Sequence, residues 1–199
     1  MLKSSFSKNL IEAGCDEAGR GCLAGPVFAA AVIFPKNYKN EMLDDSKKLN
    51  LAKREFLRTQ IQKDAIVWAV AQVDNEKIDE INILNASILA MQLAVGKLTK
   101  KPQLLLIDGN RFKPFKDIPH ECIVKGDGKF LSIAAASILA KTYRDDFMER
   151  IHKEFPYYNW KKNKGYPVKE HRRGISEFGI TPYHRLSFRL NEQIKIPFK

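Results

Sequence analysis

Two short apolar segments of the sequence each end in acidic residues with a glycine close behind. Residues 11–15 lead into the pair Asp16 and Glu17, and residues 104–107 lead into Asp108. Ligands of α/β proteins bind at the ends of the strands, and a carboxylate buried there without a partner is costly. The pattern favours an α/β fold in which these carboxylates converge on a cation, with a basic side chain as the alternative partner.

The rest of the chain alternates between strand-like and helical patterns, which predicts an α/β domain with a mixed sheet. A polar turn is expected over residues 74–76, between the third strand and the next helix. The predicted strands cover residues 11–15, 27–34, 65–73, 103–108 and 122–124, and the predicted helices cover 51–63, a segment beginning at Asn82 or Asn85, 130–151 and 170–178.

The two adjacent acids place a condition on the local backbone. Successive side chains of a strand point to opposite faces of the sheet, so Asp16 and Glu17 would diverge if the strand continued through them. For both to reach one site, the chain is expected to turn there. Residues 18–21, Ala-Gly-Arg-Gly, form a suitable turn, because glycine allows backbone angles that other residues resist.

The net charge of +11 and the pI of about 9.5 point to an anionic partner. Nucleic acid is the commonest soluble partner of this kind, and the alternative is a basic surface that only aids solubility. Residues 157–173 mix aromatic side chains with six basic ones, which suits contacts to phosphates. Together with a cage of carboxylates, which Mg²⁺ or Mn²⁺ prefers, this indicates metal-assisted chemistry on a phosphate backbone.

Cysteine use and hydropathy bear on the compartment. The three cysteines, Cys15, Cys22 and Cys122, are odd in number and contain no C-x-x-C pair, which disfavours a disulfide framework or a zinc site. The N-terminus has no apolar core of a signal peptide, and the longest apolar run, residues 23–34, is too short for a membrane helix. We expect a reduced cytoplasmic protein without a membrane partner, and a monomer because no exposed coiled-coil pattern occurs.

The segment over residues 14–27, Gly-Cys-Asp-Glu-Ala-Gly-Arg-Gly-Cys-Leu-Ala-Gly-Pro-Val, resembles the signature of the ribonuclease HII family, the type 2 ribonucleases H. Shorter blocks that are similar to the family follow in the same order along the chain. They are residues 45–49, 107–109, 125–127, 132–145 and 164–171.

The resemblance implies a ribonuclease H-like fold, with a mixed five-stranded sheet flanked by helices. A catalytic domain is expected over residues 1–155, with a substrate-binding, helical C-terminal extension over residues 156–199 on the same domain. The resemblance also implies four acidic metal ligands that are catalytic, and these fall on Asp16, Glu17, Asp108 and Asp127.

The resemblance further implies an endonuclease that cuts the RNA strand of RNA–DNA hybrids. It also implies ribonucleotide excision, with a cut 5′ of a single ribonucleotide in duplex DNA that leaves a 3′-hydroxyl and a 5′-phosphate. Gly19, Arg20, Gly21 and Tyr166 would recognise the ribonucleotide, since only RNA carries a 2′-hydroxyl. Lys47 is a candidate phosphate contact, and a solvated loop lysine is its alternative role.

Several assignments have alternatives. Asp127 could be an ordinary turn residue, and Asp145 is the rival fourth ligand, although its place in the outer half of a helix predicts a solvated side chain. Arg20 could pair with a core acid, and Tyr166 could be a surface aromatic. The histidines His171 and His184 could each be general acids, and a structural role or phosphate binding is the favoured alternative for both.

Two positions depart from the family pattern. Asn163 stands where a histidine often precedes Lys-Gly-Tyr, and Cys22 stands where a proline is frequent. The competing functions are a catalytically silent binder of RNA–DNA hybrids and a metal-dependent phosphatase or transposase-like nuclease. The presence of all four acids argues against the first, and the Gly-Arg-Gly turn with a late tyrosine argues against the second.

Overall fold

The computed structural model describes residues 2–7, 9–43 and 50–190. Lys47, a predicted phosphate contact, lies outside the described residues. The strands are β1 (Glu12–Ala18), β2 (Val27–Ile33), β3 (Val67–Val73), β4 (Leu104–Asp108) and β5 (His120–Ile123). The helices are α1 (Leu51–Asp64), α2 (Asn75–Gly96), α3 (Leu131–Glu154), α4 (Trp160–Asn163) and α5 (Lys169–Phe178), with 3-10 turns at Gly126–Gly128 and Pro156–Tyr158.

The five strands form one sheet in the order β3-β2-β1-β4-β5. The pairs β1–β2 and β2–β3 are antiparallel, whereas β1–β4 and β4–β5 are parallel. The sheet is therefore mixed and five-stranded, and helices cover it on both faces, so the predicted fold class is confirmed.

Alternation along the strands divides the core between the two faces of the sheet. Ala13 and Cys15 of β1 pack with α2 on one face, and Ala30 and Val32 of β2 pack with α1 and α3 on the other. All seven residues of β2 are buried, as expected for a central strand covered on both sides. The position of β1 at the centre of the sheet fixes the acidic residues at its end.

Helix α3 lies directly on β1. Its first part, residues 131–140, is buried on all sides, as its uniformly apolar sequence predicts. A Cβ built on Gly14 would lie 2.3 Å from the carbonyl carbon of Ser132. A side chain at that position would collide with the helix backbone, so glycine is required for this close approach.

Helix α2 begins earlier than its sequence suggests. The side chain of Asp74 caps it by accepting from the N–H of Lys77 at 2.8 Å, so the turn expected over residues 74–76 is wrong. The predicted start at Asn82 marks an interruption instead. Asn82 has a φ of 65° and accepts from the N–H of Asn85 at 3.1 Å, which caps the second half of the helix.

Among the described residues, α2 is the helix that is long and apolar enough to cross a membrane, with a mean hydropathy of 1.3 over 18 residues. Its apolar side chains, including Ile78, Ile88 and Met91, pack against the sheet in the core. This packing accounts for the apolar composition of a helix that covers β1, β2 and β3 on one face of the sheet.

The C-terminal extension is attached to the loop between β1 and β2. Ala24 and His184 form an isolated antiparallel bridge. The N–H of Gly25 donates to the carbonyl of Tyr183 at 2.8 Å, and the N–H of Arg185 donates to the carbonyl of Leu23 at 2.9 Å. The loop that follows the acidic residues is therefore held from behind by residues 183–185 of the C-terminal extension. The division at residue 155 stays a prediction.

Candidate active site

A pocket opens where β1 and β4 end. It is bounded by the end of β1, the loop after it, the end of β4 and one side of α3. The residues that line it are Asp16, Glu17, Ala18, Gly19, Arg20, Gly21, Asp108, Ser137, Lys141 and Tyr166. Three of the four predicted acids and all the predicted ribonucleotide-binding residues within the described chain are therefore brought together.

The backbone does not turn at the two adjacent acids, and the expectation that it must is wrong. β1 continues through Ala18, and the turn follows at residues 19–22. Asp16 and Glu17 still share the pocket because β4 pairs with β1 only as far as Cys15. Beyond that point β1 has no neighbouring strand on the side of β4 within the described chain, and both side chains line the pocket.

Asp16 is buried, at 4% exposure. Burial raises its pKa well above the usual value, and repulsion from Glu17 and Asp108 raises it further. Hydrogen bonds from the side chain of Ser137 and from the N–H of Glu17, the latter at 2.7 Å, act in the opposite direction. The charged form of Asp16 thus lacks sufficient compensation within the protein.

Glu17 is paired with the arginine of the following turn. The Nη1 of Arg20 lies 3.0 Å from Oε1 of Glu17, and the arginine side chain is 49% exposed. Burial raises the pKa of Glu17, and Arg20 lowers it in part. The expected alternative role of Arg20, pairing with an acid, is therefore realised with an acid of the same pocket, and the two roles are compatible.

Asp108 holds the turn that carries Asp127. Its Oδ1 accepts from the N–H of Gly126 at 2.7 Å. Asp127 follows in the 3-10 turn Gly126–Gly128 and is 4% exposed, but it is not among the residues that line the pocket. Its turn is fixed to the pocket through Asp108.

The acidic side chains of the pocket suit a divalent cation by their chemistry but not by their present arrangement. Within the described part of the chain, no three acidic, histidine or cysteine side chains are arranged closely enough to hold a metal ion. Glu17 is turned to Arg20, and Asp108 is turned to Gly126. The chemistry of the set nevertheless fits, since carboxylate oxygens are what Mg²⁺ and Mn²⁺ prefer, and burial and the neighbouring carboxylates, which raise the pKa of Asp16, disfavour its charged form when no counter-charge is present.

Three polar residues of α3 at four-residue spacing were missed or misjudged. Ser137 and Lys141 line the pocket, and Asp145 is 3% exposed and forms an ion pair with Lys141. The expectation that Asp145 is solvated is therefore wrong. This part of α3 packs beneath the loop and the C-terminal extension, so its polar side chains are enclosed. Their i, i+4 spacing was the available signal.

Tyr166 is held in the pocket at both ends. Its side chain is in hydrogen-bond contact with Cys22, and burial followed by Cys22 raises its pKa. Its carbonyl lies 3.0 Å from Nδ1 of His171. Cys22, a departure from the family pattern, is fully buried and thereby becomes part of the support of the pocket tyrosine.

The support continues into a buried group of five residues, called here the histidine core: Tyr158, Trp160, His171, Thr181 and His184. Nδ1 of His184 accepts from the N–H of Thr181 at 2.9 Å, so its proton is on Nε2, 3.2 Å from Nε2 of His171. The indole of Trp160 also donates to that atom at 2.9 Å, which places the His171 proton on Nδ1, facing Tyr166. The contacts of both histidines are structural, which is one of the roles considered for them.

Asn163, the other departure, shapes the turn before Tyr166. Its amide donates to the carbonyl of Tyr158 at 2.7 Å, and its Oδ1 accepts from the N–H of Gly165 at 2.9 Å. Lys164, between them, has a left-handed φ of 51°. Asn163 therefore acts on the backbone of this turn, which no pattern in the sequence indicated.

Comparison with known proteins identifies the same family as the sequence blocks. The family model described as Ribonuclease HII matches residues 13–191. A protein named Ribonuclease HII from Bacteroides thetaiotaomicron is 64% identical over 190 residues, which cover 96% of this chain and 95% of that protein. Another of that name from Phocaeicola vulgatus is 62% identical over 201 residues and covers 100% of both chains.

Solved structures agree on the fold. The RNase HII in a complex with PCNA from Archaeoglobus fulgidus superposes with a TM-score of 0.76 at 25% identity, covering 94% of this chain and 100% of that one. Bst-RNase HIII in complex with Mn²⁺ superposes with a TM-score of 0.71 at 20% identity, covering 91% of this chain and 68% of that one. With a match along nearly its whole length and an acidic pocket at the predicted strand ends, the chain belongs to the ribonuclease HII family of ribonuclease H hydrolases.

Proposed function

We propose that the protein is a metal-dependent endonuclease that cuts the RNA strand of RNA–DNA hybrids and cuts 5′ of single ribonucleotides in duplex DNA. The products are a 3′-hydroxyl and a 5′-phosphate. One observation carries the proposal. Buried carboxylates, the Gly19–Gly21 loop and Tyr166 line the same pocket, so that chemistry on a phosphate and contact with a sugar occur side by side.

In this proposal, Asp16, Glu17 and Asp108 would hold Mg²⁺ or Mn²⁺, and Asp127, whose turn is bound to Asp108, would be the fourth ligand. The bound ion would activate water and stabilise the leaving oxygen. Ser137 orients the carboxyl group of Asp16. Water is the attacking group in this reaction, so no side chain is needed as a nucleophile.

The neighbouring residues select the substrate. The backbone at Gly19 and Gly21 comes close to a sugar because no side chain stands in the way, and Arg20, half exposed beside Glu17, faces the substrate side. Tyr166, 42% exposed, offers a planar surface to the sugar or base. Lys47 is proposed to contact a phosphate, and the basic side chains of residues 157–173 position the duplex.

The proposed setting is a monomer in the cytoplasm. The described cysteines, Cys15, Cys22 and Cys122, are all free, as expected in a reducing compartment. Sedimentation of the purified protein tests the oligomeric state, and fractionation of cells tests the location.

The decisive experiment uses a DNA duplex that carries one ribonucleotide. We expect one cut 5′ of the ribonucleotide in Mg²⁺ or Mn²⁺, abolished by EDTA and by Asp16→Asn. A duplex that is bound but remains uncut would favour a silent binder. Equal cutting of the same duplex without the ribonucleotide would favour a nuclease that does not read the sugar.

A further inference from the structure

Two buried arginines lie directly behind the loop between β1 and β2, residues 19–26, which is the proposed substrate-binding loop. Arg144 of α3 is 1% exposed, and Arg185 of the C-terminal extension is 0% exposed. Within the described residues, neither forms an ion pair with a carboxylate. A buried guanidinium without a carboxylate is costly, and the repulsion between two such groups adds to the cost. The hydrogen bonds of the two arginines show what their burial achieves in the fold.

Arg185 binds the backbone of the loop from behind. Its Nη1 donates to the carbonyl of Arg20 at 2.9 Å, and its Nε donates to the carbonyl of Gly25 at 2.9 Å. Its Nη2 is buried and has no hydrogen-bond partner among the described residues. Burial lowers the pKa of Arg185 to about 10, and the charge of Arg144 contributes to the shift.

Arg144 joins the loop to the segment that carries Tyr166. Its Nε and Nη2 donate to the carbonyls of Pro26 and Ala24, both at 3.1 Å, and its Nη1 donates to the carbonyl of Lys164 at 2.8 Å. A Cβ built on Gly19, whose φ is +97°, would lie 2.0 Å from Nε of Arg144. The backbone of the loop at Gly19 therefore packs directly against the guanidinium group of Arg144.

The contact of Arg185 with Arg20 sets the direction of one peptide group. In a trans peptide the C=O and the next N–H point in opposite directions, and no cis peptide occurs in the described chain. With the Arg20 carbonyl turned inward, the N–H of Gly21 points outward. It has no hydrogen-bond partner among the described residues, and a Cβ on Gly21 would meet nothing within 4 Å.

We propose that Arg185 and Arg144 are positioning residues for ribonucleotide selection. Arg185 turns the Arg20–Gly21 peptide so that the Gly21 N–H faces the pocket and donates to the 2′-oxygen of the substrate. Arg144 fixes the distance from this loop to Tyr166. The inference deepens the proposed function and rests on it, because it assigns the reading of the sugar to a backbone orientation maintained by two buried cations.

The test separates sugar reading from folding and from catalysis. Arg185→Lys and Arg144→Lys are each combined with Asp16→Asn, which prevents cleavage, and Arg58→Lys serves as the matched control because Arg58 pairs with Asp146 on the outer side of α3. Fluorescence anisotropy gives Kd for a duplex with one ribonucleotide and for the same duplex made of DNA alone. Cutting by the protein with Asp16 intact is measured separately and tests the proposed function.

We expect the preference for the ribonucleotide duplex to fall roughly fivefold to tenfold in both arginine variants, the effect of one lost hydrogen bond, while affinity for plain DNA stays unchanged. The Arg58→Lys preference should equal that of the parent. An unchanged preference, an equal loss of affinity for both duplexes, or a failure of both arginine variants to fold would overturn the proposal. Each of these results is independent of whether the intact protein cuts.

Discussion

The acidic pocket and the histidine core lie on opposite sides of Tyr166 and handle buried polar groups in opposite ways. In the pocket, burial and mutual repulsion raise the pKa values of Asp16 and Glu17, and the charges lack full compensation. In the histidine core, each ring nitrogen of His171 and His184 has a partner within 3.2 Å. The first arrangement disfavours the charged forms of the two carboxyl groups. The second fixes the position of the backbone that carries Tyr166.

The largest expected effect removes one charge of the pocket. Asp108→Asn should lower kcat by about a hundredfold to a thousandfold, because electrostatic stabilisation by such a group is of that order. Steady-state cleavage of a duplex with one ribonucleotide measures it. Asp146→Asn, an exposed acid on α3, is the control and should retain full activity. Equal losses in both variants would remove the distinction between the pocket and other acidic positions.

The histidine core should make the fold sensitive to acid. Burial lowers the pKa of His184 to about 4 from 6.5, so the unfolded chain takes up the proton at higher pH than the folded one. Stability is therefore complete above pH 6.5 and is lost as the pH falls toward 4. At about 1.4 kcal/mol per pKa unit, and allowing for solvent screening, the loss is roughly 2 kcal/mol.

Urea unfolding at several pH values measures this loss. In His184→Gln the dependence between pH 6.5 and 4 should flatten, whereas His120→Gln, a partly exposed residue on the edge strand β5, should leave it unchanged. A pH dependence that survives His184→Gln would show that other groups dominate the acid response.

A smaller effect concerns the indole N–H of the histidine core. Trp160→Phe removes the hydrogen bond to His171 and should cost about 1 kcal/mol of unfolding free energy. Trp68→Phe, on the sheet and partly buried, is the matched control for ring size. Urea unfolding of both variants compares them, and equal losses would mean that ring volume alone accounts for the change.

An effect of similar size has the opposite sign. Without a divalent cation, Asp16→Asn should raise the unfolding midpoint by a few degrees, or about 1 kcal/mol, because it removes a strained charge. The raised pKa of Asp16 means that the stability of the wild type falls as the pH rises through that pKa. Mg²⁺ or Mn²⁺ should stabilise the wild type more than the variant, as thermal unfolding would show. A midpoint lowered by Asp16→Asn would contradict the contrast drawn between the two regions.

The order of strands and helices was predictable because hydrophobic periodicity reflects burial, which is a local property of each segment. The errors occurred where tertiary contacts decide. The extent of β1 beyond Cys15 depends on its pairing with β2, which continues to Ala18, and the start of α2 depends on which of two caps, Asp74 or Asn82, begins the first turn. Asp145 is buried and paired with Lys141, which depends on the packing around α3 and not on the local sequence.

The candidate site divides in the same way. The positions of Asp16, Glu17 and Asp108 at strand ends could be expected from the apolar segments before them, and the structure places all three in one pocket. Asp127 and Tyr166 were assigned through family resemblance alone. The supports behind them, Arg144, Arg185 and Cys22, act through backbone carbonyls or a thiol, and such contacts have no spacing rule in the sequence.

The contact between Gly14 and α3 limits the mechanical tolerance of the pocket. Strand and helix backbones touch two residues before Asp16, so the strand cannot sink toward the helix to follow a smaller ion. The floor of the pocket is therefore rigid. In the proposed metal site, adjustment to ionic radius would come from the side chains of Glu17 and Asp108. A methyl group at position 14 would force the strand and the helix apart, and we expect it to destabilise the fold and to shift the floor of the pocket together.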